Sequence, residues 1–174
     1  MTFILIGMAG CGKSCLGRTV SKRLGMKNID VDKVIEEKYG MKLCEIISKF
    51  GVDEFKKIEE DALMSIKDEE NLIVSTGGSA IYYEKAMEHL KSIGTVIYVY
   101  TSLPVLLRRI GDFKSRGMVM KEGQTIESLY KERAFLYNKY ADVKLDCNGN
   151  NFRLHQQILT DYITKKLSDN SHNK

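Results

Sequence analysis

Eight residues near the start, Gly7-Met8-Ala9-Gly10-Cys11-Gly12-Lys13-Ser14, follow the apolar run Phe3-Ile4-Leu5-Ile6 and fit the spacing G-x-x-x-x-G-K-[ST]. Residue types in that order serve one chemistry, the holding of phosphate. The glycines let the backbone curl until successive N–H groups face inward and form a concave anion site. A helix expected from Lys13 adds the positive end of its dipole and its unpaired first-turn donors. Lys13 then reaches the β and γ phosphates of a nucleotide, and the Ser14 hydroxyl holds Mg²⁺. The plain alternative is a glycine-rich turn that only joins a strand to a helix.

Two carboxylates come next, Asp30 and Asp32, at the tip of a predicted strand. The run Leu72-Ile73-Val74 carries no acid for Mg²⁺, so Asp30 and Asp32 are the candidates for metal and base roles. Their other reading is as first-turn acids that favour the next helix. Among the cations, Arg133 falls on an otherwise apolar helix face, where it needs a partner; a bound carboxylate or an internal ion pair supplies one. Arg116 lies in the polar, glycine-bounded stretch Asp112-Phe113-Lys114-Ser115-Arg116-Gly117. Lys56, in a run of lysines and glutamates, reads by itself as part of a solvated helix face.

The elements that must position these residues alternate. Phe3–Ile6, Lys27–Asp30, Asn71–Ser75, Thr95–Tyr100 and Val143–Asp146 read as strands. Helices are predicted over Lys13–Leu24, with Leu16, Val20 and Leu24 on one stripe and Gly25 as the stop, and over Glu84–Ser92. Another starts after Ser102 with Pro104 in its first turn. Two more cover Thr125–Tyr140, with Leu129, Arg133, Leu136 and Tyr140 on one face, and Phe152–Leu167. Between the second and third strands, Val34–Tyr39, Leu43–Phe50 and Asp53–Lys67 give three helical segments, more than a crossover needs, so a separate lobe is expected. Gly111 to Gly123 reads as a mobile loop and Ser168–Lys174 as a disordered tail. Strands with apolar interiors alternating with helices indicate an α/β fold whose parallel sheet is covered on both faces.

Composition sets the boundaries. The chain has 174 residues, 43% hydrophobic and 29% charged, which fits one soluble domain with a single core. A formal charge of +4, spread among acids rather than stacked in a run, suits small anionic ligands and argues against nucleic acid. With no signal-like start and no apolar span of bilayer length, a cytoplasmic monomer away from membranes is expected. Cys11, Cys15, Cys44 and Cys147 read as reduced thiols. Cys11, next to a helix N-terminus, is expected to have a lowered pKa and to alkylate readily. His89, His155 and His172 read as solvated or helix-end side chains.

The phosphate loop, Asp30-Val31-Asp32, Glu45-Ile46, Phe55-Lys56-Lys57-Ile58-Glu59, Ser75-Thr76-Gly77-Gly78, the segment around Arg116, and Arg133-Ala134-Phe135-Leu136-Tyr137 together resemble the shikimate kinases over nearly the whole chain. The resemblance implies a P-loop kinase of the nucleoside-monophosphate-kinase type: a three-layer α/β sandwich with a five-stranded parallel sheet, a substrate-binding lobe over about 31–60 and a lid over about 111–123. It implies transfer of the ATP γ-phosphoryl to a ring hydroxyl of shikimate, giving shikimate 3-phosphate, with Mg²⁺. By that resemblance Gly10, Cys11, Gly12, Lys13, Ser14 and Cys15 hold the phosphates. Ser14 binds Mg²⁺, and Asp30 and Ser75 help through its water shell. Asp32 is the base, and Arg116 neutralises the transferring group. Lys56 and Arg133 grip the substrate carboxylate beside Gly77 and Gly78, and Arg109 and Asn151 contact adenine and ribose.

There are three departures from the family's pattern: Lys56 stands for arginine, Ser79 for a third glycine, and Gly117-Met118-Val119 for Pro-Leu-Leu. Lysine lacks the planar two-pronged contact that arginine makes. Another small hydroxylated carboxylate, gluconate or a nucleoside monophosphate are therefore alternative acceptors, and a non-catalytic nucleotide-binding module is the alternative class.

Overall fold

A computed structural model of the chain describes residues 1–110 and 123–171. Five strands, β1 (Thr2–Ile6), β2 (Lys27–Asp30), β3 (Leu72–Ser75), β4 (Gly94–Tyr100) and β5 (Val143–Asp146), form one sheet in the order β2-β3-β1-β4-β5. All pairings are parallel. Helices α1 (Lys13–Leu24), α2 (Val31–Tyr39), α3 (Leu43–Phe50), α4 (Val52–Met64), α5 (Glu84–Ile93), α6 (Leu103–Ile110), α7 (Ile126–Tyr140) and α8 (Phe152–Ser171) complete it. They cover both sides of the sheet, the three-layer α/β sandwich expected.

The central strands show why. Every residue of β1 and of β3 is buried, a continuous rather than alternating pattern, because helices lie against both faces. Register then sets the site. Leu5 pairs with Ser75 and Asp30 also pairs with Ser75, so β1, β2 and β3 end in one row. The phosphate loop, Asp30 and Thr76 all leave from that carboxyl edge, where ligands of open parallel sheets bind.

The helical lobe is not separate. Ile35 of α2, Ile46 of α3 and Phe55 of α4 belong to the same buried cluster as β1. Helix α2 begins at Val31, three residues before the predicted start, which puts Asp32 in its first turn. A short 3₁₀ turn, Ala80–Tyr82, was not predicted. On α7 the side chain buried between Arg133 and Tyr140 is Tyr137 rather than Leu136, since Leu129, Arg133 and Tyr137 follow the four-residue step. Helix α8 runs to Ser171, so the expected disorder from Ser168 is corrected as far as that residue. The proposed lid lies outside the described residues, apart from Gly123 at its end. No helix among the described residues is long and apolar enough to cross a membrane.

Candidate active site

The phosphate loop has the geometry its spacing implies. Gly7, Gly10 and Gly12 have φ of 146°, 80° and 103°, values that disfavour any side chain. A Cβ at Gly10 would also collide with Ile110, and one at Gly7 would lie 2.7 Å from the Val99 carbonyl oxygen. Helix α1 starts behind a left-handed Gly12 with no side-chain cap and no acid in its first turn. Its first amides therefore face the loop without a carboxylate competing with phosphate. The buried Lys13 ammonium donates to the carbonyls of Gly7 at 2.7 Å and Met8 at 3.0 Å, which fixes a positive charge inside the cradle.

A cleft of about 470 Å³ joins this cradle to the rest of the site; Lys13, Ser14, Cys15, Asp32, Gly78 and Arg109 are on its wall. Phosphate donors and the proposed base thus face one space. Arg109 donates to the carbonyls of Cys147 at 3.1 Å and Gly149 at 2.6 Å, tying α6 to the turn before α8.

Opposite the loop, the double glycine is the meeting point, through lack of space rather than unusual φ. A Cβ on Gly77 would press on the Glu59 carboxylate and lie 3.0 Å from Asp32 Oδ1; one on Gly78 would lie 3.1 Å from Arg133 Nη1 and 3.2 Å from the Ala9 amide nitrogen. Asp32, Glu59, Arg133 and the phosphate loop therefore all converge on these two residues. The Tyr137 hydroxyl donates to the Gly78 carbonyl at 2.6 Å.

Glu59 is 2% exposed. It accepts hydrogen bonds from the Ser79 hydroxyl, which lies 2.7 and 2.6 Å from its two oxygens, and from Tyr83 at 2.7 Å. Burial raises its pKa, against the lowering effects of those hydroxyls and of Arg133. Asp32 is pushed up to about 6 by burial and then by the Glu59 carboxylate, with Lys13 pulling the other way. A carboxyl near 6 is poised to exchange a proton at neutral pH.

Some predicted residues are placed elsewhere. Lys56 is exposed and pairs with Asp53 one helical turn back, at 3.0 Å, the solvated-face geometry. Ser75 is buried and donates to the Lys13 carbonyl at 3.2 Å, and neither it nor Asp30 is on the cleft wall. Asn151 caps α8, accepting from the Leu154 amide at 3.1 Å. Arg116 lies outside the described residues. Cys11 is buried, which corrects the expectation of ready alkylation, while Cys15 is exposed. His155 lies in the first turn of α8, one of the two placements expected, and is buried, its Nε2 2.8 Å from the Asn148 carbonyl oxygen.

The chain's residues fit Mg-ATP at this point. The cradle offers amides and a lysine to phosphates, and the exposed Ser14 hydroxyl lies on the cleft wall. Among the described residues no group of three or more His, Cys, Asp or Glu is placed to hold a metal alone. Mg²⁺ takes much of its coordination from phosphates and water, so one hydroxyl such as that of Ser14 can serve as its protein ligand.

Sequence reasoning assigned no role to Glu59, Tyr82 or Tyr83. Glu59 had a signal: it shares the buried stripe of α4 with Phe55, Ile58 and Leu63, where an acid needs partners.

Comparison with known proteins bears on this arrangement directly. The family model described as shikimate kinase matches residues 9–165. A shikimate kinase of Thermodesulfovibrio yellowstonii is 35% identical over 148 residues, covering 84% of this chain and 85% of its own. Among solved structures, a shikimate kinase from Acinetobacter baumannii in complex with shikimate superposes with a TM-score of 0.83 at 32% identity, covering 95% of this chain and 94% of that one. The shikimate kinase from Aquifex aeolicus gives 0.80 at 30% identity, covering 98% of each. With its phosphate cradle, its cleft-facing aspartate and these relatives, the chain belongs to the shikimate kinase family.

Proposed function

We propose that this protein is an ATP-dependent kinase that transfers the terminal phosphoryl group of ATP to a ring hydroxyl of shikimate. The observation that carries the reading is the single cleft whose wall holds both the phosphate loop and Asp32. Membership of the family supports the acceptor.

Each residue has a task in that transfer. The loop amides and Lys13 bind the nucleotide's phosphates. Ser14 is the protein ligand we assign to Mg²⁺, with Asp30 and Ser75 acting at most through its water shell. Bound Mg²⁺ supplies charge neutralisation on the phosphate oxygens. Asp32 holds the acceptor hydroxyl and takes its proton as the oxygen attacks. Arg133 beside Gly78 binds the acceptor carboxylate, with the two-pronged geometry that guanidinium provides. Lys56 contributes there only by giving up its ion pair with Asp53. To Arg116 we assign charge stabilisation of the group in flight, and to Arg109 the adenine side of the cleft. The site we describe serves a cytoplasmic monomer.

The test is ADP release by purified protein with Mg-ATP against a panel of shikimate, gluconate, other hydroxy acids and nucleoside monophosphates. Shikimate is expected to give the highest kcat/KM. A higher value for any other acceptor overturns the assignment.

A further inference from the structure

Arg133, whose guanidinium is assigned to the acceptor's carboxylate, is almost closed off from solvent, and among the described residues the ring of Tyr82 lies against it. Arg133 is 2% exposed while Tyr82 is 41% exposed. The Arg133 guanidinium carbon lies 5.4 Å from the centre of the Tyr82 ring. Arg133 Nε donates to the Tyr82 hydroxyl at 3.4 Å, and that hydroxyl donates in turn to Glu132 Oε1 at 2.6 Å. Gln124 holds the other oxygen of Glu132 at 3.0 Å. The tyrosine therefore meets the guanidinium with its face and its oxygen together.

The turn that carries Tyr82 is itself anchored. Ser79 before it and Tyr83 after it both donate to the buried Glu59. Glu59 and Arg133 also attract each other electrostatically. Nη1 of Arg133 points toward Gly78, on the side where the double glycine, Asp32 and the phosphate loop converge.

We propose that Tyr82 is a positioning residue for acceptor binding: its ring and hydroxyl set the plane of the Arg133 guanidinium and keep it directed at the Gly78 side of the cleft. The proposal rests on the reading of Arg133 as the carboxylate anchor. A cation held over an aromatic face is stabilised without the ring's touching the ligand, and a guanidinium fixed in plane loses less freedom when a carboxylate docks on it.

Tyr82→Ala and Tyr82→Phe in the full chain test it, with steady-state kinetics on shikimate and ATP and with phenylglyoxal labelling of Arg133 mapped by mass spectrometry on the ligand-free protein. Tyr82→Ala is expected to raise the shikimate KM about tenfold. The ATP KM and kcat should stay within about twofold, as for loss of ground-state acceptor binding. Arg133 should label several-fold faster than in the parent. Tyr82→Phe keeps the ring but loses the hydroxyl that accepts from Arg133 and donates to Glu132, and should give a shikimate KM and an Arg133 labelling rate between those of the parent and Tyr82→Ala. The proposal is overturned if Arg133 labels no faster in Tyr82→Ala, or if both KM values rise together. Should the parent fail to phosphorylate shikimate, the assigned acceptor falls, and the labelling still decides whether Tyr82 holds Arg133.

Discussion

Two carboxylates whose ionisation is opposed by burial meet at Gly77, and this suits Asp32 to act as a base. Asp32 is pushed up to about 6 mainly by burial and secondly by Glu59. Between the ordinary carboxylate value and about 6 the folded chain keeps a proton at Asp32 that the unfolded chain has lost. Native stability therefore falls as pH rises through that window, and the full penalty is present above it. Asp32→Asn removes the penalty. In nucleotide-free protein the variant should have a higher urea midpoint than the parent above about pH 6, and the two should converge near pH 4. A variant no more stable than the parent at pH 7 would contradict this electrostatic picture. The aspartate was legible in the sequence because two acids flank Val31 at the tip of a predicted strand. For Glu59 the sequence signals only an acid on an apolar helix stripe, since its partners Ser79 and Tyr83 lie 20 and 24 residues away and only the fold brings them together. Lys56 drew its predicted role from the family resemblance, whereas its own neighbourhood of lysines and glutamates reads as a solvated helix face, and the structure shows it exposed and paired with Asp53.

Local chemistry decided which elements could be read. Helix α1 has the predicted bounds because both ends are written in glycine, Gly12 and Gly25, each in the left-handed region. Helix α7 starts where Thr125 accepts a hydrogen bond from the Ser128 amide, the N-cap signal. Helix α2 was misjudged by three residues because nothing but Asp30 marks its start and no side chain caps it. The 3₁₀ turn Ala80–Tyr82 carries no periodic signal at all, being three residues long, yet it places Ser79, Tyr82 and Tyr83. Its hold on Glu59 has a measurable worth. Ser79→Ala leaves a buried carboxylate with one hydroxyl donor fewer, and should lower stability by about 1–3 kcal/mol, read as a fall in urea midpoint at unchanged slope. An unchanged midpoint would mean that Ser79 contributes nothing to the turn.

At the scale of the molecule, the parallel sheet makes the site by ending three strands together. Register joins Leu5, Ser75 and Asp30 in a row, so the phosphate loop after β1, the double glycine after β3 and the first turn of α2 after β2 open on the same cleft. All five strands were placed from the sequence, although only β1, β3 and β4 are apolar runs, whereas β2 (Lys27–Asp30) and β5 (Val143–Asp146) mix polar and apolar residues. The order of the five was not legible, because strand adjacency in β2-β3-β1-β4-β5 is a property of packing. Whether the assembled cleft performs in-line transfer between a held phosphate and an aspartate-held hydroxyl is read most directly by ³¹P NMR of the protein with Mg-ATP and shikimate. The parent should convert ATP into ADP and one new phosphomonoester. Asp32→Asn should still bind Mg-ATP by calorimetry while forming that ester at least about a hundredfold more slowly. Inorganic phosphate as the only product, or an undiminished rate in Asp32→Asn, would contradict the account.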